Sequence, residues 1–146
     1  MDANSRKQFS AARSPAERLG AWVRWCTQTA VWGMEVDRTC WIEASAYIDR
    51  TWPKGIHVGA ETYVGEEAVV LTHDYTRGVY LDTRIGARCI IGARAIIMPG
   101  CSIGDDCIVA PGAVVTKDMT SGCEAHGNPA QIQPRQAWDA SDERSV

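Results

Sequence analysis

IGARCI from Ile85, IGARAI from Ile91, IMPGCS from Ile97, IGDDCI from Ile103, VAPGAV from Val109 and VTKDM from Val115 follow one another without a break. Every first position is Ile or Val, and the fifth position of each complete segment is small: Cys89, Ala95, Cys101, Cys107 and Ala113. Glycine follows the aliphatic residue at Gly86, Gly92 and Gly104, and precedes the small residue at Gly100 and Gly112. A period of six matches neither an amphipathic helix nor a simple alternating strand. It suits a triangular coil. With three short faces to a turn, each aliphatic residue points inward and residues eighteen apart stack: Ile85 on Ile103, Ile91 on Val109, Ile97 on Val115. The small fifth positions relieve crowding inside, and the glycines are expected to let the backbone bend between faces.

The same spacing recurs upstream in two weaker blocks, Ile42, Ala46 and Ile48, then Val58, Thr62, Val64, Ala68 and Val70. From Ile48 to Val58 the step is ten, and TWPKGIH supplies a distorted corner through Pro53 and Gly55. From Val70 to Ile85 the step is fifteen, nine more than one face needs, so LTHDYTRGVYLDT must leave the coil as a loop. Long excursions from a regular scaffold are where chemistry tends to be placed.

Ahead of the coil, Leu19, Trp22, Val23, Cys26 and Ala30 predict a helix over 16–32, started by Ser14 and Pro15, with Trp25 and Trp32 widening its apolar face. Its expected role is to cover the open end of the solenoid; a tryptophan face lying on a membrane surface is the second reading. The first dozen residues and the segment after Pro134 are polar and read as mobile. The expected division is a tail and capping helix over 1–41, a coil over 42–130 and a polar tail over 131–146.

With 146 residues, 45% of them hydrophobic, the chain suits a single domain with its own core. Fifteen Lys and Arg against 18 Asp and Glu leave a net charge of -3, which excludes a broad basic field for nucleic acid or anionic lipid. No signal-peptide core and no run as long as a transmembrane helix occur, so the reading is cytoplasmic. The six cysteines, 26, 40, 89, 101, 107 and 123, form no CxxC pair and no zinc pattern; they read as reduced thiols, and no metal is expected.

VAPGAVVTKD followed by HGNPA, in phase with the repeat, resembles the hexapeptide-repeat acyltransferases, and the likeness runs from Ile42 to Ala130. It implies an all-β solenoid, a left-handed parallel β-helix of hexapeptide repeats, here with an N-terminal helix. The handedness comes from the resemblance, since parallel crossovers in general turn right-handed. AYIDRTWPKGIHVG and VVLTHDYTRG look like the branch that acetylates sugars, including polysaccharide-building O-acetyltransferases. The resemblance further implies acetyl-CoA as acyl donor, a small-molecule or glycan acceptor, and a homotrimer with acetyl-CoA lying between neighbouring coils.

His73 stands on the long loop in the place of the histidine that these enzymes use as general base. A hydroxyl is a poor nucleophile at neutral pH, and an imidazole can take its proton as the oxygen attacks the thioester. Asp74 and Asp49 are the candidates for an orienting or acceptor-binding role, against the plainer reading of solvated turn carboxylates. Thr116 and Lys117 match family positions near the CoA phosphates, and Ala93, Ala110 and Pro111 fall where the pantetheine arm approaches. The family often has a basic residue soon after GNPA; Gln131 stands there instead, and Arg135 is the candidate substitute. Cys89, Cys101 and Cys107 are read as small packing residues, not nucleophiles.

Two other readings use the same coil. One transfers the acyl group to an amine, because the coil does not encode the acceptor; the other is a non-catalytic scaffold. A zinc carbonic anhydrase of this fold would need three clustered histidines, and 57, 73 and 126 lack the close pair.

Overall fold

A computed structural model describes residues 14–135, so the expected polar tails, apart from residues 131–135 and Ser14 at the helix start, lie outside the described residues. The first turn of the coil is β1 (Glu35–Val36), β2 (Trp41–Ile42) and β3 (Tyr47–Ile48); the second is β4 (Ile56–Val58), β5 (Tyr63–Val64) and β6 (Val69–Val70). The excursion forms a small hairpin, β7 (His73–Asp74) and β8 (Val79–Tyr80). The third turn is β9 (Thr83–Ile85), β10 (Ile90–Ile91) and β11 (Ile96–Ile97), and the fourth β12 (Ser102–Ile103), β13 (Ile108–Val109) and β14 (Val114–Val115). A final pair, β15 (Cys123–His126) and β16 (Gln131–Pro134), closes the chain.

Strands stack into three parallel faces: β1, β4, β9 and β12 on the first, β2, β5, β10, β13 and β15 on the second, β3, β6, β11 and β14 on the third. The three expected ladders form, Ile85 on Ile103, Ile91 on Val109 and Ile97 on Val115, and all six side chains are buried. Upstream, Ile42 pairs with Val64 and Ile48 with Val70, and these in turn with Ile91 and Ile97. The two insertions therefore lengthen their turns and leave the stacking intact. The ladder starts one face ahead of Ile42, where Val36 pairs with Val58. VDRTCW fits the repeat with Cys40 in the small place, but it lacks the glycine that marks the later segments. At the other end, residues 131–134 add β16 antiparallel to β15.

The glycines divide into two kinds, and the expectation that all of them serve bends is corrected. Gly100 and Gly112 do turn corners, with φ of 84° and 71°, and Arg88, Arg94 and Asp106 adopt the same left-handed backbone at the equivalent place. Gly86 and Gly92 serve approach between turns: a Cβ on Gly92 would lie 2.5 Å from Pro111 N, and one on Gly86 2.6 Å from the Gly104 carbonyl carbon. Any side chain there would push successive turns apart.

The helix, α1 (Pro15–Cys26), starts on a Ser14 capping box with Glu17 and continues as a π-turn over Thr27–Val31. Alternate N–H groups along the strands donate to the following turn, as Trp41 N to Thr62 O and Gly92 N to Val109 O, so the carbonyls of Val36 and Ile42, on the open edge of the first turn, have no earlier turn to accept from. Trp25 Nε1 donates to Val36 O at 2.9 Å and the Arg24 guanidinium to Ile42 O at 3.5 Å. Trp25 and Trp32 pack on the core, yet Leu19, Trp22 and Val23 are exposed, so the helix caps the edge with one flank and does not bury the whole apolar face read from its spacing.

Candidate active site

The excursion is anchored by buried hydroxyls. Thr72 Oγ1 donates to Trp52 O at 2.8 Å, Thr83 Oγ1 to Leu71 O at 2.5 Å, and Gly100 N in turn donates to Thr83 Oγ1. The base of the loop is thereby tied to the corner that carries Trp52 and to the turn below, and the hairpin pairs His73 with Tyr80 and Asp74 with Val79.

Asp49 follows Ile48 out of the third face and lies beneath the loop, fully buried. Its Oδ2 accepts from His73 Nδ1 at 2.6 Å, Thr72 N at 3.0 Å and His73 N at 3.1 Å, while Oδ1 accepts from Thr51 N at 2.8 Å. Burial opposes ionisation of Asp49, but the hydrogen bonds from His73, Thr72 and Thr51 outweigh it and hold the carboxyl down at about 2. An ionised Asp49 accepts only, so in the neutral imidazole Nδ1 carries the proton and Nε2 the lone pair. Nε2 has no hydrogen-bond partner among the described residues, and the His73 side chain is 10% exposed. The arrangement holds the neutral imidazole in one tautomer.

Asp49, at 0% exposure and with both oxygens engaged, faces the His73 ring and the backbone at the base of the loop. Asp74 is likewise engaged in its own hairpin, where Oδ1 accepts from Thr76 N and Thr76 Oγ1 at 2.8 and 2.6 Å. The Thr76 hydroxyl, the backbone amides of Thr76 and Arg77, and the nearby Arg77 charge hold Asp74 below the usual carboxylate range, against a smaller opposing effect of burial. Its visible work is a turn cap.

The other sequence candidates fall on three different edges of the coil. Thr116 and Lys117 are exposed on the edge between the third and first faces, the same edge as the His73 loop. They lie two turns below it, about 10 Å along the axis at the usual strand spacing. Ala93, Ala110 and Pro111 stack on the edge between the second and third faces, where Gly112 N donates to Ala93 O and Ala110 N to Ala125 O. Arg135 lies at the opposite end of the second face, its N donating to Gly122 O and its side chain turned to Glu124 at 3.9 Å. Within one chain Arg135 is not brought to Ala110 or Pro111, because β16 runs back along β15 and carries it to the far corner.

His57 and His126 pair with other carboxylates, His57 with Glu35 at 2.6 Å and Asp82 at 3.4 Å, His126 with Glu124 at 3.1 Å. No group of three His, Cys, Asp or Glu is placed to hold a metal among the described residues. An open concavity of about 540 Å³ runs along the first face between Glu35, His57 and Arg84; His73 is not part of its lining. Burial pushes the Cys89 thiol up to about 11, despite hydrogen bonds that favour the thiolate, so it cannot serve as a nucleophile near neutrality. Missed in the sequence was the aromatic cluster at His73, namely Tyr75 and Tyr80 against the imidazole and Trp52 against Tyr80. The WP corner and the two tyrosines flanking TRG were visible, but nothing in a linear reading joins two insertions 20 residues or more apart.

Residues 82–117 match the family model described as bacterial transferase hexapeptide (six repeats). The chain carries the hexapeptide repeat. Its fold is the left-handed parallel β-helix, similar to a maltose O-acetyltransferase from Clostridium difficile 630 at a TM-score of 0.57 and 23% identity, covering 71% of this chain and 70% of that one. A galactoside acetyltransferase in complex with coenzyme A aligns at a TM-score of 0.58 and 19% identity, over 85% of this chain and 74% of that one. In sequence, the hexapeptide-repeat chain is 37% identical over 86 residues to "Putative acetyltransferase YvoF" of Bacillus subtilis, which takes in 58% of this chain and half of that protein. Among the described residues no helix is long and apolar enough to cross a membrane.

Proposed function

We propose that the chain is an acetyl-CoA-dependent O-acetyltransferase that acts on a hydroxyl of a sugar or polysaccharide precursor, with His73 as general base. The observation that carries the reading is the Asp49–His73 pair, which leaves Nε2 as an unpartnered acceptor on the long excursion. Nε2 takes the hydroxyl proton as the oxygen attacks the thioester carbonyl; the tetrahedral adduct collapses with cleavage of the C–S bond, and the imidazolium returns the proton to the departing thiolate of CoA. Asp49 is a positioning residue: it fixes the tautomer and offsets the imidazolium charge. Support from similarity is the HGNPA and VTKD motifs and the YvoF relationship; the solved neighbours bear on the fold.

For the donor, Ala93 N–H and Pro111 C=O have no backbone partner among the described residues and suit the amides of a pantetheine arm, beside the small Ala110. Thr116 and Lys117 suit the phosphates, with Lys117 free of ion pairs among the described residues. These groups lie on edges either side of the third face, and a homotrimer would let the edge of one coil meet that of another. Outward-facing residues support such packing: Trp41, Tyr63, Ile90 and Ile108 on the second face, Tyr47, Val69, Ile96 and Val114 on the third, against Glu35, His57, Arg84 and Ser102 on the first. Arg135 joins the donor site only if a neighbouring copy supplies the other edge.

The direct test is thiol release from acetyl-CoA across free and nucleotide-linked sugars, with product analysis by mass spectrometry. Acetylation of amines alone would overturn the O-acetyl assignment. Lys117→Ala is expected to raise the KM for acetyl-CoA more than it lowers kcat, and the defect should shrink as salt rises, because screening weakens the native phosphate contact. An unchanged KM moves the donor site elsewhere. Asp49→Asn is expected to lower kcat by roughly 10²- to 10⁴-fold with the KM for acetyl-CoA little changed, since an amide that donates to Nδ1 favours the wrong tautomer. A proportional rise in KM with kcat intact would contradict the positioning role.

A further inference from the structure

Two insertions in the coil bring aromatic rings together at His73, two of them against its imidazole and the third against one of those two. Trp52, from the ten-residue corner, and Tyr80, from the excursion, have ring centroids 5.7 Å apart and planes at 55°. Tyr80 lies nearly parallel to the His73 imidazole at 6.2 Å, and Tyr75, at the hairpin tip, meets it edge-on at 4.3 Å. Trp52 is 40% exposed, Tyr80 58% and Tyr75 84%, so all three offer ring surface to solvent.

The first two rings are held firmly. The Trp52 carbonyl accepts from buried Thr72, and its ring lies so close over Gly55 that a Cβ there would come within 2.5 Å of Cδ1. Tyr80 is paired with His73 across the hairpin, so the two residues share one backbone unit. Exposed aromatic rings on anchored backbone beside a base form a platform for a ligand with an apolar face and a polar rim. A pyranose has that shape: a patch of C–H groups, polarised positive by the ring and hydroxyl oxygens, matches the negative face of a π system, and its hydroxyls radiate around the rim. A small linear acceptor such as an amino acid has no such patch.

We propose that Trp52 and Tyr80 form the acceptor platform, on which the C–H face of a pyranose ring stacks so that one rim hydroxyl donates to His73 Nε2. The proposal rests on His73 being the base that meets the acceptor. Tyr75 then borders the acceptor from the hairpin tip, and the buried nitrogen gains in the bound state the donor it lacks in the free chain.

The test combines binding and turnover on wild type, Trp52→Ala, Tyr80→Ala and Tyr80→Phe, each checked by circular dichroism. Saturation-transfer NMR with methyl β-D-galactopyranoside and methyl β-D-glucopyranoside, and with glycerol and serine for comparison, should mark the C–H protons of one pyranoside face and leave glycerol and serine unmarked. Folded Trp52→Ala and Tyr80→Ala should each raise the acceptor KM by roughly tenfold, the usual loss for one stacked ring, while the KM for acetyl-CoA stays put and Tyr80→Phe behaves as wild type. Should Trp52→Ala prove misfolded, the Tyr80 pair decides. Absence of saturation for both pyranosides, or acceptor KM values unmoved in the alanine variants, overturns the platform. Face-specific binding without any acetyl transfer would leave the platform standing and remove the transferase reading; transfer that depends on His73 but ignores both rings would do the reverse.

Discussion

His73→Ala is expected to lower kcat by roughly 10²- to 10⁴-fold, the usual contribution of a positioned general base, while acetyl-CoA still binds. In the neutral imidazole the lone pair lies at Nε2, because Asp49 accepts the proton on Nδ1 at 2.6 Å, and alanine removes it. The general base must be neutral, so kcat/KM of the wild type should fall on the acid side of its profile. Asp49, held at about 2, stays ionised in assays near neutrality, so loss of its charge does not shape that limb. Direct transfer needs both substrates together, and initial-rate lines should intersect; a covalent acyl-cysteine would give parallel lines, which the burial of Cys89 and Cys107 also speaks against. Wild-type-like turnover in the alanine variant, with an acceptor that the wild type acetylates, would remove His73 from the mechanism.

The coil was legible because its signal is repetitive. Six consecutive segments from Ile85 place one aliphatic residue per face, and stacking at eighteen residues follows from the arithmetic of three faces. Irregular turns were legible only through their excess: ten residues between Ile48 and Val58, fifteen between Val70 and Ile85, each absorbed outside an undisturbed ladder. Roles that depend on contact between insertions were not. Asp49 and His73 are 24 residues apart, and only the fold reveals that the carboxylate lies under the imidazole instead of facing solvent. Likewise Gly92 and Gly100 were both read as bends, yet one makes room for the turn below and the other takes a left-handed backbone. For α1 the spacing located the helix, but periodicity records an apolar face and not what covers it; Trp25 meets the coil while Leu19 and Trp22 do not.

Ile91→Asp is expected to abolish the folded coil, whereas Ile90→Asp, one residue earlier, is expected to keep it. Ile91 is fully buried in the third turn, pairing with Val64 above and Val109 below, among side chains that are almost all aliphatic, alanine or cysteine. A carboxylate there finds no cation and no ordered donor, and an uncompensated buried charge costs several kcal/mol, to which the lost burial of isoleucine adds about 2 kcal/mol. A domain of this size has a net stability of roughly 5–15 kcal/mol, so the sum is enough to unfold a narrow core in which every turn depends on its neighbours. Ile91→Val, which keeps the branched shape, should cost only about 1 kcal/mol. Ile90 points outward from the same two-residue strand and is half-buried in the single chain. Its replacement should leave the far-UV circular dichroism of the coil intact and weaken association between copies, read by sedimentation velocity, if the apolar second face packs against a neighbour. Thermal melts of Ile91→Asp that match the wild type would contradict the inward assignment on which the stacking of all four turns depends.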